Sequence, residues 1–125
     1  LQLNNAIDLP GEVENVDDYY AVSDVYIQAS HREAMPMSVL EALAAGLPII
    51  STDVGGLRDV VNENGILIQD NENALYDAMK IILYCGESKR QKMKNNSLSL
   101  SVNYSSEKMA QRYETIYQEV VQRWK

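Results

Sequence analysis

The chain has 125 residues, which suffices for one compact domain but leaves no room for a second. Its 46% apolar and 23% charged residues are typical of a folded globular protein and exclude a mostly disordered one. The formal net charge of −7 argues against a nucleic-acid surface, because binding a phosphate backbone needs clustered Lys and Arg. With Cys85 as its single cysteine, the chain forms no internal disulfide and requires no oxidising compartment.

Nothing in the sequence predicts a membrane span or a secretory signal. No apolar run reaches the roughly 18 residues of a transmembrane helix, and Leu1 to Asn5 leads into acidic rather than basic and apolar sequence. We therefore expect a cytoplasmic protein. The first residue is not Met, which fits a piece of a longer chain.

The first half of the sequence has the pattern of βα units, in which short apolar runs alternate with helical segments. Continuous apolar runs such as Val25–Ile27 are typical of parallel strands covered by helices on both faces. Gly46 is well placed to end a helix in the left-handed conformation. The predicted strands are Ile7–Pro10, Val25–Ala29, Pro48–Thr52 and Gly65–Ile68, and the predicted helices lie near Val16–Val22, from Pro36 or Ser38 to Ala45, and near Leu57–Val61. The sequence thus predicts an α/β fold with a Rossmann-like, doubly wound parallel sheet.

The second half of the sequence predicts helices only. Asp70 is the expected N-cap of the first, which carries Leu75, Met79, Ile82 and Leu83 on one face. A polar helix follows over Ser88–Leu98, and the last helix opens at Ser105 or Ser106 within residues 104–124. Its apolar stripe is interpreted as core packing and consists of Met109, Tyr113, Ile116, Tyr117 and Val120.

Two loops are the expected location of any binding site, since open α/β sheets place ligands beyond the carboxyl ends of their strands. The first loop, Ser30–Met37, runs into a helix start whose unpaired N–H groups favour a phosphate. The second loop, Thr52–Gly56, ends in Gly55 and Gly56, and glycine allows close backbone approach because it has no Cβ.

Two carboxylates flank the first helix start. Glu33 lies on the loop, whereas Glu41 lies about a turn and a half into the helix if Pro36 occupies its first turn. Such a pair suits the vicinal hydroxyls of a ribose and a hexose, with a diphosphate between them. An alternative remains open, because Ser38 and Glu41 also have capping-box spacing, in which Glu41 would only cap the helix.

The two glutamates, separated by seven residues, stand in a specific setting of strand, helix and paired glycines. In this setting three stretches resemble the donor-binding C-terminal domain of retaining glycosyltransferases of the GT-B type, the glycosyl transferases group 1 family: Ala21–Ser30, Glu33–Ala42 and Ala45–Gly56. The match continues through Gly65–Ile68, the Asp70–Leu83 helix and a final helix at Tyr104–Val121. It covers nearly the whole chain in order.

The resemblance implies a role for each matching residue. Glu33 is the catalytic candidate, which contacts the transferred sugar near its reacting centre, and Glu41 binds the ribose hydroxyls. The remaining donor-binding candidates present backbone to the diphosphate and sugar: Ala34, Met35, Pro36, Met37, Ser38, Gly55 and Gly56. Pro36 itself has no N–H to donate.

Some residues depart from the family pattern or compete for a role. Ala34 stands where the family commonly has Gly, and Met35 where an aromatic residue often follows, so the sugar remains undetermined. His31 is a tempting acid or base, but the matching position varies and the reaction needs no histidine there. Arg32 and Arg58 could meet a phosphate, and we assign neither.

The function implied is transfer of a sugar from a nucleoside-diphosphate sugar to an acceptor with retention of configuration. Neither a metal nor another cofactor is expected, since no cluster of ligands has metal-site spacing. The expected partners are the nucleotide sugar and a glycan or lipid-linked acceptor, with peripheral membrane association of the full-length protein open and nucleic acid excluded. Two alternatives remain, a nucleotide-sugar epimerase and a receiver-like binding domain with Asp53 as phosphoacceptor.

Residues 1–125 are thus expected to be a partial domain. In the family, two further βα units with a Gly-rich turn and basic residues for the diphosphate precede Leu1, and an N-terminal domain binds the acceptor. Their two strands would separate the strand at Ile7 from that at Val25, which leaves an unpaired edge. We therefore expect the isolated 125 residues to be inactive.

Overall fold

The computed structural model describes residues 6–124 as a three-stranded parallel sheet with six α-helices. In chain order the elements are α1 (Val16–Val22), β1 (Tyr26–Gln28), α2 (Met37–Ala44), β2 (Ile49–Thr52), α3 (Leu57–Val60), β3 (Gly65–Ile68), α4 (Glu72–Tyr84), α5 (Glu87–Ser101), a 3-10 turn (Val102–Tyr104) and α6 (Ser106–Arg123).

The strands lie in the order β1-β2-β3, and every pair is parallel. Ile50 of β2 is opposite Ile27 of β1 on one side and Ile66 of β3 on the other. The α/β class with a parallel sheet is therefore confirmed. Because all three strands run the same way, their carboxyl ends meet at one edge of the sheet.

The central strand β2 contributes to two cores, one on each face of the sheet. Ile49 packs with Val39 and Leu43 of α2, whereas Ile50 packs with Ile82 of α4. All four residues of β2 are buried, as the continuous apolar pattern predicts for a strand covered on both sides. The sheet is thus sandwiched between α2 and α4.

The end of α2 is fixed against α5. Gly46 has φ of 73°, and a Cβ there would lie 3.1 Å from the side chain of Leu98, so the prediction of a left-handed glycine after α2 is confirmed. Ser97 of α5, fully buried, donates a hydrogen bond of 2.6 Å to the carbonyl of Leu47. These contacts hold the carboxyl end of α2, and the opposite end of the helix points to the loop after β1.

The predicted strand at Ile7–Pro10 is wrong. The segment has no regular structure, and Ile7 and Leu9 are 55% and 87% exposed. A strand needs a neighbour for its N–H and C=O groups, and no described strand pairs with these residues. Pro10 has no N–H to offer, and Gly11 turns the chain with φ of 74°.

The predicted cap of α4 is wrong by one residue. Asn71, not Asp70, is the N-cap, and its side-chain oxygen accepts a hydrogen bond of 2.9 Å from the N–H of Ala74. Asp70 instead pairs with His31 from the loop after β1. The same helix buries Ile82 as expected but leaves Met79 and Leu83 46% and 62% exposed.

The last helix is correctly predicted, with Ser105 as its N-cap, but its stripe does not pack in the core. The side chains of the stripe are between 46% and 66% exposed, and none of α6 is buried. Among residues 6–124, α6 contacts mainly the 3-10 turn before it, and Leu40 of α2 only lines an open pocket beside Met109, Tyr113 and Ile116. The core interpretation of the stripe is therefore wrong for the described chain.

None of the described helices is long and apolar enough to cross a bilayer.

Candidate functional site

The candidate site lies at the carboxyl edge of the sheet, where the loops after β1 and β2 meet. Gly56 donates a backbone hydrogen bond of 2.7 Å to the carbonyl of Ala34, which ties the second loop to the first. Thr52, at the end of β2, donates from its hydroxyl to the carbonyl of Ser30 over 2.6 Å. The two loops singled out from the sequence thus form one unit.

The two glycines of the second loop lie directly against the backbone that carries Glu33. A Cβ added at Gly55 would lie 2.0 Å from the carbonyl oxygen of Glu33, and one at Gly56 would lie 3.0 Å from that of Ala34. Gly55 also has φ of 55°, a conformation that favours glycine. No other residue type therefore fits at Gly55 without displacing the loop that carries Glu33.

Glu33 is half-buried on the first loop, and two side chains hold its carboxylate. Its Oε1 accepts a hydrogen bond of 2.8 Å from the hydroxyl of Ser30 and one of 2.9 Å from Nε2 of Gln28. Gln28 also donates to Ser30 Oγ over 2.6 Å. The three side chains form a closed triangle, so the carboxylate has a defined orientation at the end of β1.

Glu41, the fifth residue of α2, is exposed and faces α1. Its Oε2 accepts a hydrogen bond of 3.0 Å from the hydroxyl of Tyr20, whose ring is buried. Burial, and next the hydrogen bond to Glu41, raises the pKa of Tyr20, so the phenol stays protonated and donates. A cleft of about 390 Å³ opens beside this pair, lined by Asp17, Tyr20, Ala21, Glu41, Ala44 and Ala45.

The structure contradicts the capping-box alternative for Glu41. The N-cap of α2 is Pro36 rather than Ser38, and no side chain caps the helix. With Pro36 as N-cap, a glutamate could reach back from Val39, and Glu41 lies two residues beyond that position. Neither Glu33 nor Glu41 points into a core, which leaves both carboxylates accessible to a ligand.

The start of α2 is open. Pro36 is extended, with ψ of 131°, and the first helical residue, Met37, has a side chain that is 66% exposed. The first turn contains no acidic residue. The N–H of Val39 donates to the carbonyl of Pro36 over 3.2 Å. The earlier N–H groups of the turn have no acidic neighbour in that turn, which leaves the partial positive charge of the helix start available to an anion.

Between the two glutamates lies Tyr26, whose ring is half-buried and packs edge-on against Tyr20 at 6.1 Å between centroids. Its hydroxyl lies 2.6 Å from Oε1 of Gln28 and 2.8 Å from Oγ of Ser38. Burial raises the pKa of Tyr26; the hydrogen bond with Ser38 partly offsets this, and the charges of Glu33 and Glu41 raise it further. Tyr26 therefore connects the surroundings of the two carboxylates.

The other candidates of the two loops have contacts of their own. Met35 turns its side chain towards the core of the α2 face, so it can offer only backbone to a ligand. Arg58 pairs with Asp53, which raises the pKa of Arg58. His31 is exposed and pairs with Asp70, outside the Glu33 cluster. We still assign no role to Arg32.

Three residues of the site were missed by sequence reasoning: Tyr20, Tyr26 and Gln28. A signal for two of them existed, because residues two apart on a strand share a face, so Tyr26 and Gln28 of β1 both point to the same side. A polar pair on one face of a short strand that leads into Ser30 and Glu33 indicates a hydrogen-bonded site. Tyr20 has no such signal, since its partner Glu41 is 21 residues away.

Within residues 6–124, no three His, Cys, Asp or Glu side chains come together in a way that could hold a metal ion.

Comparison with known proteins agrees with this fold. Residues 1–99 match the family model of the glycosyl transferases group 1, and this chain belongs to that family. A curated relative, the N-acetyl-alpha-D-glucosaminyl L-malate synthase of Bacillus anthracis, is 30% identical over 97% of this chain and 32% of its own length. The chain thus spans about a third of the relative that it matches.

Solved structures share the architecture. A glycosyltransferase from Rickettsia africae superposes with a TM-score of 0.88 at 25% identity, over 96% of this chain and 33% of its own. The pneumococcal O-GlcNAc transferase GtfA, solved in complex with UDP and GlcNAc, gives 0.76 at 25% identity, over 96% and 25%. The fold is that of GT-B glycosyltransferases, and neither the epimerase nor the receiver-like alternative is favoured.

Proposed function

We propose that this chain is the donor-binding part of a glycosyltransferase that transfers a sugar from a nucleoside-diphosphate sugar with retention of configuration. One observation carries the proposal: two accessible carboxylates, Glu33 and Glu41, flank the open start of α2 and are joined to it by hydrogen-bonded side chains. Family membership supports sugar transfer, and the UDP and GlcNAc bound to GtfA support a nucleotide and a sugar as donor parts.

In this proposal the diphosphate lies against the start of α2. The N–H groups of the first turn donate to phosphate oxygens, and the backbone of Ala34–Ser38 lines the path from diphosphate to sugar. As the bond to the anomeric carbon breaks, negative charge grows on the leaving diphosphate, and the fixed N–H dipoles stabilise it. No metal ion is required for this step.

The two glutamates hold the two ends of the donor. Glu41, which is exposed beside the cleft between α1 and α2, accepts hydrogen bonds from the ribose hydroxyls. Glu33 is the catalytic residue: it contacts the transferred sugar and favours the positive charge that develops at the anomeric carbon. Gly55 and Gly56 keep the Glu33 loop in place and leave room for the donor beside it.

The acceptor half is assigned to sequence beyond these 125 residues, since the relatives are about three times longer. We propose that an N-terminal domain binds a glycan or lipid-linked acceptor, that the full-length protein is cytoplasmic with peripheral membrane contact, and that it binds no nucleic acid. The isolated 125 residues are then expected to turn over no nucleotide sugar.

The test is a calorimetric titration of the full-length protein with uridine, guanosine, adenosine and thymidine diphosphates. One of them binds in the micromolar range, and Glu41→Gln weakens that affinity about tenfold, because the ribose loses a charged hydrogen-bond acceptor. Glu72→Gln, a matched change in the exposed first turn of α4, leaves the affinity unchanged.

Turnover tests the second glutamate. Glu33→Gln lowers kcat on the order of 100-fold while nucleoside-diphosphate affinity stays within a factor of two. NMR of the product gives the anomeric configuration, which is retained. The proposal is contradicted if no nucleoside diphosphate binds, or if the product has the inverted anomeric configuration.

A further inference from the structure

The half-buried surroundings of Glu33 contain a hydrogen-bonded chain of side chains that leads back to the start of α2. It runs from Ser38, in the first turn of α2, through Tyr26 and Gln28 of β1 to the carboxylate of Glu33. Every link is between 2.6 and 2.9 Å long. The chain therefore connects the proposed diphosphate site with the proposed catalytic carboxylate.

The chemistry of the groups fixes the direction of each hydrogen bond. An ionised carboxylate only accepts, so Gln28 must present its Nε2 to Glu33 and its Oε1 to Tyr26. The single proton of the Tyr26 hydroxyl then goes to Gln28 Oε1. Ser38 Oγ, 2.8 Å away, is left to donate to Tyr26.

All donors in the chain thus point towards Glu33. If the Gln28 amide were reversed, its oxygen would face the carboxylate oxygen 2.9 Å away, and that contact would be repulsive. Hydrogen bonds that point in one direction polarise one another, so Tyr26 and Ser38 strengthen the bond from Gln28 to Glu33. The ring of Tyr26 is half-buried and packs against Tyr20 of α1, which restrains the position of its hydroxyl.

We propose that Gln28 and Tyr26 are positioning residues for the transfer reaction, which hold the carboxylate of Glu33 against the donor sugar. This inference rests on the proposed function of Glu33. Neither side chain touches the donor itself: Gln28 acts through Glu33, and Tyr26 acts through Gln28. Their effect is expected at the sugar end of the donor, because the chain reaches α2 only at the hydroxyl of Ser38 and not at a backbone N–H.

The experiment compares two ligands, the nucleoside diphosphate selected in the titration above and its hexose derivative. In the full-length protein, Gln28→Met keeps the length of the side chain but removes the amide. We expect it to leave the affinity for the nucleoside diphosphate unchanged, to abolish the extra affinity contributed by the sugar, and to lower kcat at least tenfold. Tyr26→Phe gives the same pattern at about threefold, since Gln28 still reaches Glu33.

Matched controls separate positioning from folding. Gln69→Met makes the same chemical change at the carboxyl end of β3, on an exposed side chain, and leaves both affinities and kcat unaltered. Tyr104→Phe removes the hydroxyl of a half-buried tyrosine that is not part of the hydrogen-bonded chain, and it is expected to leave both affinities and kcat unaltered. If Gln28→Met does not fold, as judged by thermal unfolding, Tyr26→Phe decides the question.

The outcomes distinguish the inference from the function on which it rests. If Gln28→Met and Tyr26→Phe keep the sugar-dependent affinity and kcat, or if they weaken both ligands equally, the positioning role is refuted. If the unaltered protein binds no nucleoside diphosphate, the proposed function fails, and the inference fails with it.

Discussion

The N-termini of α2 and α4 lie at the same edge of the sheet, but only the N-terminus of α4 is capped by a side chain. At α4, Asn71 caps the first turn, Glu72 adds a negative charge, and Asp70 before it is paired with His31. At α2, Pro36 offers no cap, and the first turn has no acidic residue. The chain thus satisfies the start of α4 internally and leaves that of α2 available.

The acids near the two starts differ in the same sense. Those at α4 sit on the helix start itself, where they occupy the positive end of the dipole. Those near α2 stand to its sides, and hydrogen bonds from Gln28 and Ser30 to Glu33 and from Tyr20 to Glu41 hold them there. Because both carboxylates are held to the sides of α2, its start is suited to a ligand that carries negative charge in the middle and hydroxyls at both ends.

The largest effect is expected from Gly55→Ala, which disturbs the loop beside the open start. The added Cβ would lie 2.0 Å from the carbonyl of Glu33 at a φ of 55°, so the loop must move. We expect a loss of about 3 kcal/mol in the free energy of unfolding, measured with urea. Gly11→Ala, with φ of 74° and nothing within 4 Å, controls for backbone strain and costs about 1 kcal/mol.

Next comes a change that makes the start of α2 resemble that of α4. Met37→Glu places a carboxylate on the exposed first residue of α2 and lowers nucleoside-diphosphate affinity about tenfold by repulsion, as calorimetry would show. Because a negative charge at the start of a helix interacts favourably with the helix dipole, the midpoint temperature of unfolding stays equal or rises. Asn73→Glu adds the charge to α4 instead and leaves the affinity unchanged. Equal losses of affinity in both variants would show that the start of α2 is not the specific site of the diphosphate.

Removing the cap of α4 tests the closed side. Asn71→Ala deletes the oxygen that accepts from Ala74 N–H, at a cost of about 1 kcal/mol in unfolding free energy by urea denaturation. Nucleotide affinity is expected to stay constant. A loss of affinity larger than twofold would mean that the start of α4 belongs to the site.

The smallest effect concerns the ion pair in front of α4. The hydrogen bond that His31 donates to Asp70, and then the charge of Asp70, raises the pKa of His31 above the ordinary value of 6.5. A raised pKa in the folded state means that the pair stabilises the protein fully below pH 6.5 and that this contribution is lost as the pH rises through the raised pKa. In an NMR titration, Asp70→Asn returns the pKa of His31 towards 6.5; no change would show that the pair does not persist in solution.

Sequence patterns predicted the central part of this fold well for a physical reason. The runs at Val25 and Ile49 are apolar without alternation, which is typical of parallel strands between two layers of helices, and β2 is buried throughout. The strand at Ile7 and the core packing of the α6 stripe failed because both depend on a partner. An amphipathic or apolar segment indicates that it can be buried, but it does not identify the element that buries it.

The site divides in the same manner. Spacing together with the family resemblance selected Glu33, Glu41 and the paired glycines as candidates, but residues that hold the carboxylates were not predicted. Tyr20 reaches Glu41 across 21 positions, and Asp70 reaches His31 across 39. The choice between Asp70 and Asn71 as cap was also beyond sequence, since both residue types cap well and only the backbone geometry selects one.

The most direct test of the central claim is a crystal structure of the full-length protein with the nucleoside diphosphate that it binds. We expect phosphate oxygens within hydrogen-bond distance of the first N–H groups of α2, with a ribose hydroxyl on Glu41. A diphosphate bound at the start of α4, or elsewhere with the start of α2 empty, would contradict the account.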